Sequence, residues 1–79
     1  MSRIVLYTRV GCHLCDEAKD VLDRVATVTG VGWSAVDISG DPQLSADYGD
    51  LIPVVLLDGR EHSHWRVQEA RLIQDILAP

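Results

Sequence analysis

Residues 4–18 read I-V-L-Y-T-R-V-G-C-H-L-C-D-E-A, and this stretch holds both cysteines of the 79-residue chain. Ile4 to Thr8 is a short apolar run rich in β-branched and aromatic residues, which predicts a buried strand ended by Gly11. From Ala18 the period changes. Ala18, Val21, Leu22 and Val25 recur at steps of three and four, the spacing of one helical face. Lys19 with Asp23 and Asp20 with Arg24 lie four apart on the opposite face, an expected solvated surface, and Gly30 is the expected stop. The two sulfhydryls therefore sit where a strand gives way to a helix.

Reading onward, Trp33 to Ile38 predicts a second strand, and a strand reached through a helix normally returns parallel by a right-handed crossover. In D-P-Q-L-S-A-D-Y-G (41–49), Asp41 can cap, Pro42 fits the first helical position and Gly49 can end a short helix. Ile52 to Leu57 is the most apolar stretch and predicts a third strand. Asp58-Gly59 suits the left-handed backbone of a two-residue hairpin, so a fourth strand near Arg60 to His64 should run back. Val67, Ala70, Ile73, Ile76 and Leu77 mark the expected buried face of a last helix. No repeat or linker interrupts the order βαβ, helix, ββα. The expectation is one α/β domain over residues 1–79, a central sheet with helices on both faces.

The composition narrows the function. Seven Lys and Arg against twelve Asp and Glu leave a net charge of -5, and the basic residues are scattered, which argues against nucleic acid as a partner. No run approaches membrane-spanning length, and the N-terminal apolar run is shorter than a signal-peptide core, so the expected location is cytoplasmic. Cytosolic thiols are kept reduced, and two cysteines there usually mean chemistry or metal. Stapling explains them poorly, because chain entropy rewards the closure of long loops more than of short ones.

At a helix start, unpaired backbone N–H groups and the positive end of the dipole favour an anion, and Cys12 is placed to become one. Such sites bring a thiol from about 8.5 into a range of roughly 3.5 to 7.5. Cys15 follows nearly one helical turn later, within disulfide reach. Cys12 is the expected nucleophile and Cys15 the resolving thiol of a two-step exchange that requires no metal or organic cofactor. His13, if turned toward Cys12, would favour the thiolate; Asp16 and Glu17 suit the helix dipole but oppose a nearby negative sulfur.

Two rival readings use the same residues. Cys12 and Cys15 with His62 and His64, two apart on one strand face, could supply four zinc ligands, although solvent-side or partly packed hairpin histidines are the simpler account. Alternatively, the pair could report oxidation once, as a sensor without turnover.

Y-T-R-V-G-C-H-L-C (7–15) and L-I-P-V-V-L-L-D-G (51–59) resemble the two signature segments of glutaredoxin-like proteins of the thioredoxin superfamily. The resemblance implies a thioredoxin-like, glutaredoxin-type fold with a four-stranded mixed sheet flanked by helices. It implies a cytoplasmic, monomeric thiol-disulfide oxidoreductase serving electron transport and cell redox homeostasis. It also implies a cis Ile52-Pro53 peptide facing the cysteines, with the Ile52 backbone pairing to an extended substrate, and Arg9 where the family carries a cation for a glutathione carboxylate. The sequence departs from the family in two places. His13-Leu14 replaces the common Pro-Tyr, and E-H-S-H-W-R (61–66) replaces the Gly-Gly segment where glutaredoxins hold glutathione. Protein disulfides are then the expected substrates, the reductant is unidentified, and glutathione is reduced to a possible electron donor. The subgroup most resembled is a set of short bacterial proteins with C-H-L-C followed by D-E-A and a later W-R-V-x-E-A-R-L.

Overall fold

A computed structural model describes residues 2–78. Strand β1 (Ile4–Thr8) leads through a turn into helix α1 (His13–Thr29), and β2 (Trp33–Asp37) follows. A single 3-10 turn (Ile38–Gly40) joins β2 to α2 (Pro42–Tyr48), after which come β3 (Val54–Leu57), β4 (Arg60–His64) and α3 (Glu69–Leu77). The four strands form one mixed sheet in the order β2-β1-β3-β4. β1 and β2 run parallel, pairing Ile4 with Trp33 through Thr8 with Asp37. β1 and β3 run antiparallel, pairing Ile4 with Leu57 through Tyr7 with Val54.

Alternation along β1 sets the layers. Ile4, Leu6 and Thr8 are buried on one face, where Ile4 and Leu6 pack with Ala18, Leu22 and Val25 of α1, Val55 of β3, and Leu72 and Ile76 of α3. Tyr7 points the other way, its ring 5.0 Å from that of Tyr48 in an edge-to-face contact that seats α2 on the second face. Helices thus cover both faces, as the element order predicts. β2 lies at an edge, and all of its five residues but Trp33 are solvent-exposed.

Local chemistry accounts for the ends. The Asp41 carboxylate accepts from the Leu44 N–H at 3.0 Å, with Pro42 in the first turn, so α2 starts as its sequence prescribes. Gly49 ends it with φ -54, in the right-handed region. Asp58 and Gly59 take φ 52 and 83, the pair of left-handed residues a tight hairpin needs. Beside that turn the Arg3 guanidinium grips both Asp58 carboxylate oxygens at 2.9 and 3.0 Å and reaches the Ile76 carbonyl at 3.5 Å. The Asp58 N–H donates to the Arg3 carbonyl at 2.9 Å. This tie joins β1, the hairpin and the end of α3. Among the described residues no helix is long and apolar enough to cross a membrane.

The structure corrects several expectations. β3 begins at Val54 rather than Ile52, because Pro53 offers no N–H for the ladder, and Ile38 leaves β2 for the 3-10 turn, where it is fully buried. On α3 the buried residues are Leu72 and Ile76; Ala70 and Leu77 face solvent, and Val67 precedes the helix. The expected pairs on α1 give way to other partners. Arg24 forks onto Glu69 of α3 at 3.2 Å for both contacts, Asp23 accepts from the Trp33 indole at 3.0 Å, and Lys19 lies 4.0 Å from Asp16.

Candidate active site

Gly11, with φ 81, turns the chain sharply between β1 and α1, and this delivers Cys12 to the N-cap of the helix. The Cys12 Sγ accepts from the Cys15 backbone N–H at 3.2 Å, occupying the capping role usually filled by a hydroxyl or carboxylate. Its own N–H donates to the Arg9 carbonyl at 3.3 Å, which fixes the turn. Cys12 is half-buried and Cys15 fully buried, and a disulfide joins them with their Cα atoms 5.1 Å apart. Cys12 thus keeps part of its surface open, whereas Cys15 is enclosed.

Helix α1 packs on β1, its buried residues Ala18, Leu22 and Val25 meeting Ile4 and Leu6 in the core. Thr8 is the last buried residue of β1. The Thr8 hydroxyl is buried and has no hydrogen-bond partner among the described residues. Alternation along β1 turns this position inward, and that is the one sequence signal for it.

The Ile52–Pro53 peptide is cis, and Pro53 is buried. The antiparallel register puts this segment at the sulfur end of the sheet, since Tyr7 pairs with Val54 and the next residues along are Thr8 and Pro53. Arg9 is half-buried and turned toward α2: a Cβ at Gly49 would lie 3.3 Å from its guanidinium. The Asp37 carboxyl is held below the usual carboxylate range, first by the Ser39 side chain, then by the Ser39 N–H at 2.8 Å, with the Arg9 charge adding to the effect. Arg9 therefore adds positive charge beside the end of β2.

His13 does not serve Cys12. Its ring is exposed and pairs with Glu17, one turn along the helix, at 3.6 Å. The two hairpin histidines also diverge. A bulge leaves His62 without a partner on β3, and its ring turns to Asp75 of α3 at 2.7 Å, while Arg71 donates to its carbonyl. His64 meets Glu61 at 3.4 Å and the Trp65 ring edge-on at 4.8 Å. Among the described residues no group of three or more His, Cys, Asp or Glu is arranged to hold a metal ion.

Trp65 is half exposed at 54%, so it is not a core residue. With Leu14, Val21, Arg66 and Val67 it lines a groove of about 170 Å³ along the first two turns of α1, and Leu14 lies between the two cysteines.

Comparison with known proteins agrees with this geometry. Residues 3–77 match the family model described as a glutaredoxin-like domain (DUF836). The uncharacterized protein Rv0508 of Mycobacterium tuberculosis is 43% identical over 83 residues, covering 96% of this chain and 86% of that protein. Among solved structures, protein XcR50 from X. campestris is 33% identical with a TM-score of 0.77, covering 96% of this chain and 99% of its own. Glutaredoxin C1 from Populus tremula x tremuloides shares the fold at a TM-score of 0.59 and 18% identity, over 95% of this chain and 86% of that one. A CxxC pair capping the first helix of a four-stranded mixed sheet, matched over nearly its whole length, makes this chain a member of the glutaredoxin-like domain family.

Proposed function

We propose that this domain is a dithiol oxidoreductase that reduces protein disulfides, with Cys12 as nucleophile and Cys15 as resolving thiol. The observation that carries the reading is the asymmetry of the pair: the less buried cysteine is the one whose sulfur accepts a backbone N–H at the start of a 17-residue helix, while Cys15 is enclosed. In the reduced protein that N–H and the helix dipole favour the Cys12 thiolate, lowering the thiol's affinity for its proton. The thiolate attacks one sulfur of a substrate disulfide, forming a mixed disulfide and expelling the other sulfur as a thiolate that takes a proton from water. Cys15, deprotonated, then attacks the Cys12 sulfur, closing the internal disulfide and releasing the second substrate thiol. Two electrons pass to the substrate, and the Cys12–Cys15 bond is the spent form of the protein. An external thiol reductant must return two electrons and two protons.

Ile52 and Pro53 shape the groove in which an extended substrate lies, and Arg9 supplies a cation at its far side. The sheet end that holds Pro53 is also the end where β1 delivers Cys12, which supports this arrangement. Neither metal nor organic cofactor enters the cycle. The domain acts as a monomer in the cytoplasm, away from nucleic acid and membrane.

Turnover tests the reading. With a dithiol reductant supplied, the wild type reduces insulin disulfides catalytically, Cys12→Ser abolishes the reaction, and Cys15→Ser accumulates mixed disulfides visible on non-reducing gels. Wild-type turnover by Cys12→Ser, or a single stoichiometric oxidation without catalysis, would refute it; the latter outcome belongs to a sensor.

A further inference from the structure

We propose that Trp65 is a positioning residue for substrate binding, bracing the segment that presents Ile52 and Pro53; this rests on the oxidoreductase reading above. Both of its N–H donors are spent on that segment. The Trp65 backbone N–H donates to the Leu51 carbonyl at 3.1 Å, and its indole Nε1–H donates to the Asp50 carbonyl at 2.9 Å. These are the two consecutive carbonyls immediately ahead of Ile52.

The backbone shows what this arrangement demands. Trp65 has φ 63, a left-handed conformation that is uncommon for a bulky residue and persists only where the surroundings over-determine it. Glycine would adopt it freely, and this is the region where the family resemblance leads one to expect glycines. An indole occupies it instead. The Arg66 N–H closes the turn onto the His64 carbonyl at 2.7 Å, and the His64 ring meets the indole edge-on.

Burial does not explain the residue, because 54% of it stays exposed. A tryptophan retained for the core would be enclosed. Here the indole N–H is engaged, while the residue also lines the groove that begins at Leu14. Trp65 therefore links the two parts an incoming peptide would touch on that reading: the turn and cis-proline segment before β3 and the start of α1. Fixing that segment in advance spares a peptide the cost of ordering it, so the effect should appear in binding rather than in sulfur exchange.

Two variants separate the possibilities. Trp65→Phe keeps a ring but loses the indole donor, and Trp65→Gly keeps the backbone donor in a conformation glycine favours. With insulin as substrate, Trp65→Phe should raise KM about fivefold, the weight of one hydrogen bond, with kcat within twofold of wild type. Trp65→Gly should raise it further. The rate with 5,5′-dithiobis(2-nitrobenzoate), too small to need the backbone segment, should stay within twofold in both. Amide exchange at Leu51, whose N–H is bonded to the Tyr48 carbonyl, should accelerate about fivefold or more in each variant. An unchanged insulin KM, or equal losses on both substrates, overturns the proposal. If the wild type reduces neither substrate, the oxidoreductase reading fails instead; Leu51 exchange then decides whether Trp65 braces the segment, and unchanged exchange overturns that as well.

Discussion

Reduction of the Cys12–Cys15 bond should leave this domain folded, and the loop length sets how much it can lose. The bridge spans a sequence separation of three, a loop of four residues. In the chain-entropy account, closing such a loop stabilises the folded state by about 2 kcal/mol at 25 °C. A domain of this size has an unfolding entropy near its midpoint of about 0.17 kcal/mol per kelvin, so loss of the bond should lower Tm by about 12 °C. Thiolate formation at the helix N-terminus offsets part of that. For comparison, truncating one fully buried leucine costs about 3 to 5 kcal/mol, so the core outweighs the bond. The assay is thermal unfolding at pH 7 by circular dichroism, with and without a phosphine reductant, alongside the Cys12→Ser/Cys15→Ser double variant. Near-UV signals should survive in all three samples at 25 °C. A reduced protein that has lost its near-UV spectrum, or a Tm drop beyond about 20 °C, would show that the disulfide is a structural staple after all.

The remaining expectations concern the frame around the sulfurs. Leu22→Ala removes the central side chain of the α1 core face, fully buried in the wild type, and should cost about 3 to 5 kcal/mol in urea unfolding; a loss below about 1 kcal/mol would mean the core is not packed as described. Thr8→Val replaces a buried, unpartnered hydroxyl with a methyl group and should stabilise the disulfide form by about 1 kcal/mol, whereas destabilisation would reveal a partner for that oxygen. The Arg3 hydrogen bonds, and then its charge, hold the Asp58 carboxyl below the usual carboxylate range. A depressed folded-state value means stability present above about pH 4 and lost as pH falls through the lowered range. The urea midpoint of Asp58→Asn should thus fall short of wild type at pH 7 and converge with it as pH falls below the usual carboxylate range, and a gap that persists in strong acid would contradict the assignment.

Much of this architecture was legible because the signals were local. The capping carboxylate of Asp41, the Asp58-Gly59 turn and the change of period after Cys12 each act within a few residues, and each appears where the sequence puts it. Failures cluster where distant partners compete. On α3 the apolar residues can be read as two overlapping faces, and contact with α1 and β1 selects Leu72 and Ile76 over Ala70 and Leu77. Arg24 prefers the bidentate grip of Glu69, 45 residues away, to its neighbour Asp20, a choice no helical spacing reveals. At the site, Cys12 and Cys15 announce themselves by spacing, and the cis Ile52–Pro53 bond follows from family likeness. The bulge that releases His62, the turn of His13 toward Glu17 and the left-handed backbone of Trp65 leave no trace in composition, since each depends on what the neighbouring strand or helix permits.

The tie among Arg3, Asp58 and Ile76 lies at the opposite end of the strands from the sulfurs. The domain is in this sense built like a tool with a separate handle: the clasped end holds the strands together, and under the proposed function the short connecting segments at the other end would choose what the sulfurs meet. Exchanging those segments would then redirect the chemistry while the clasp is left alone, and cargo grafted near the β3–β4 tip would ride clear of it.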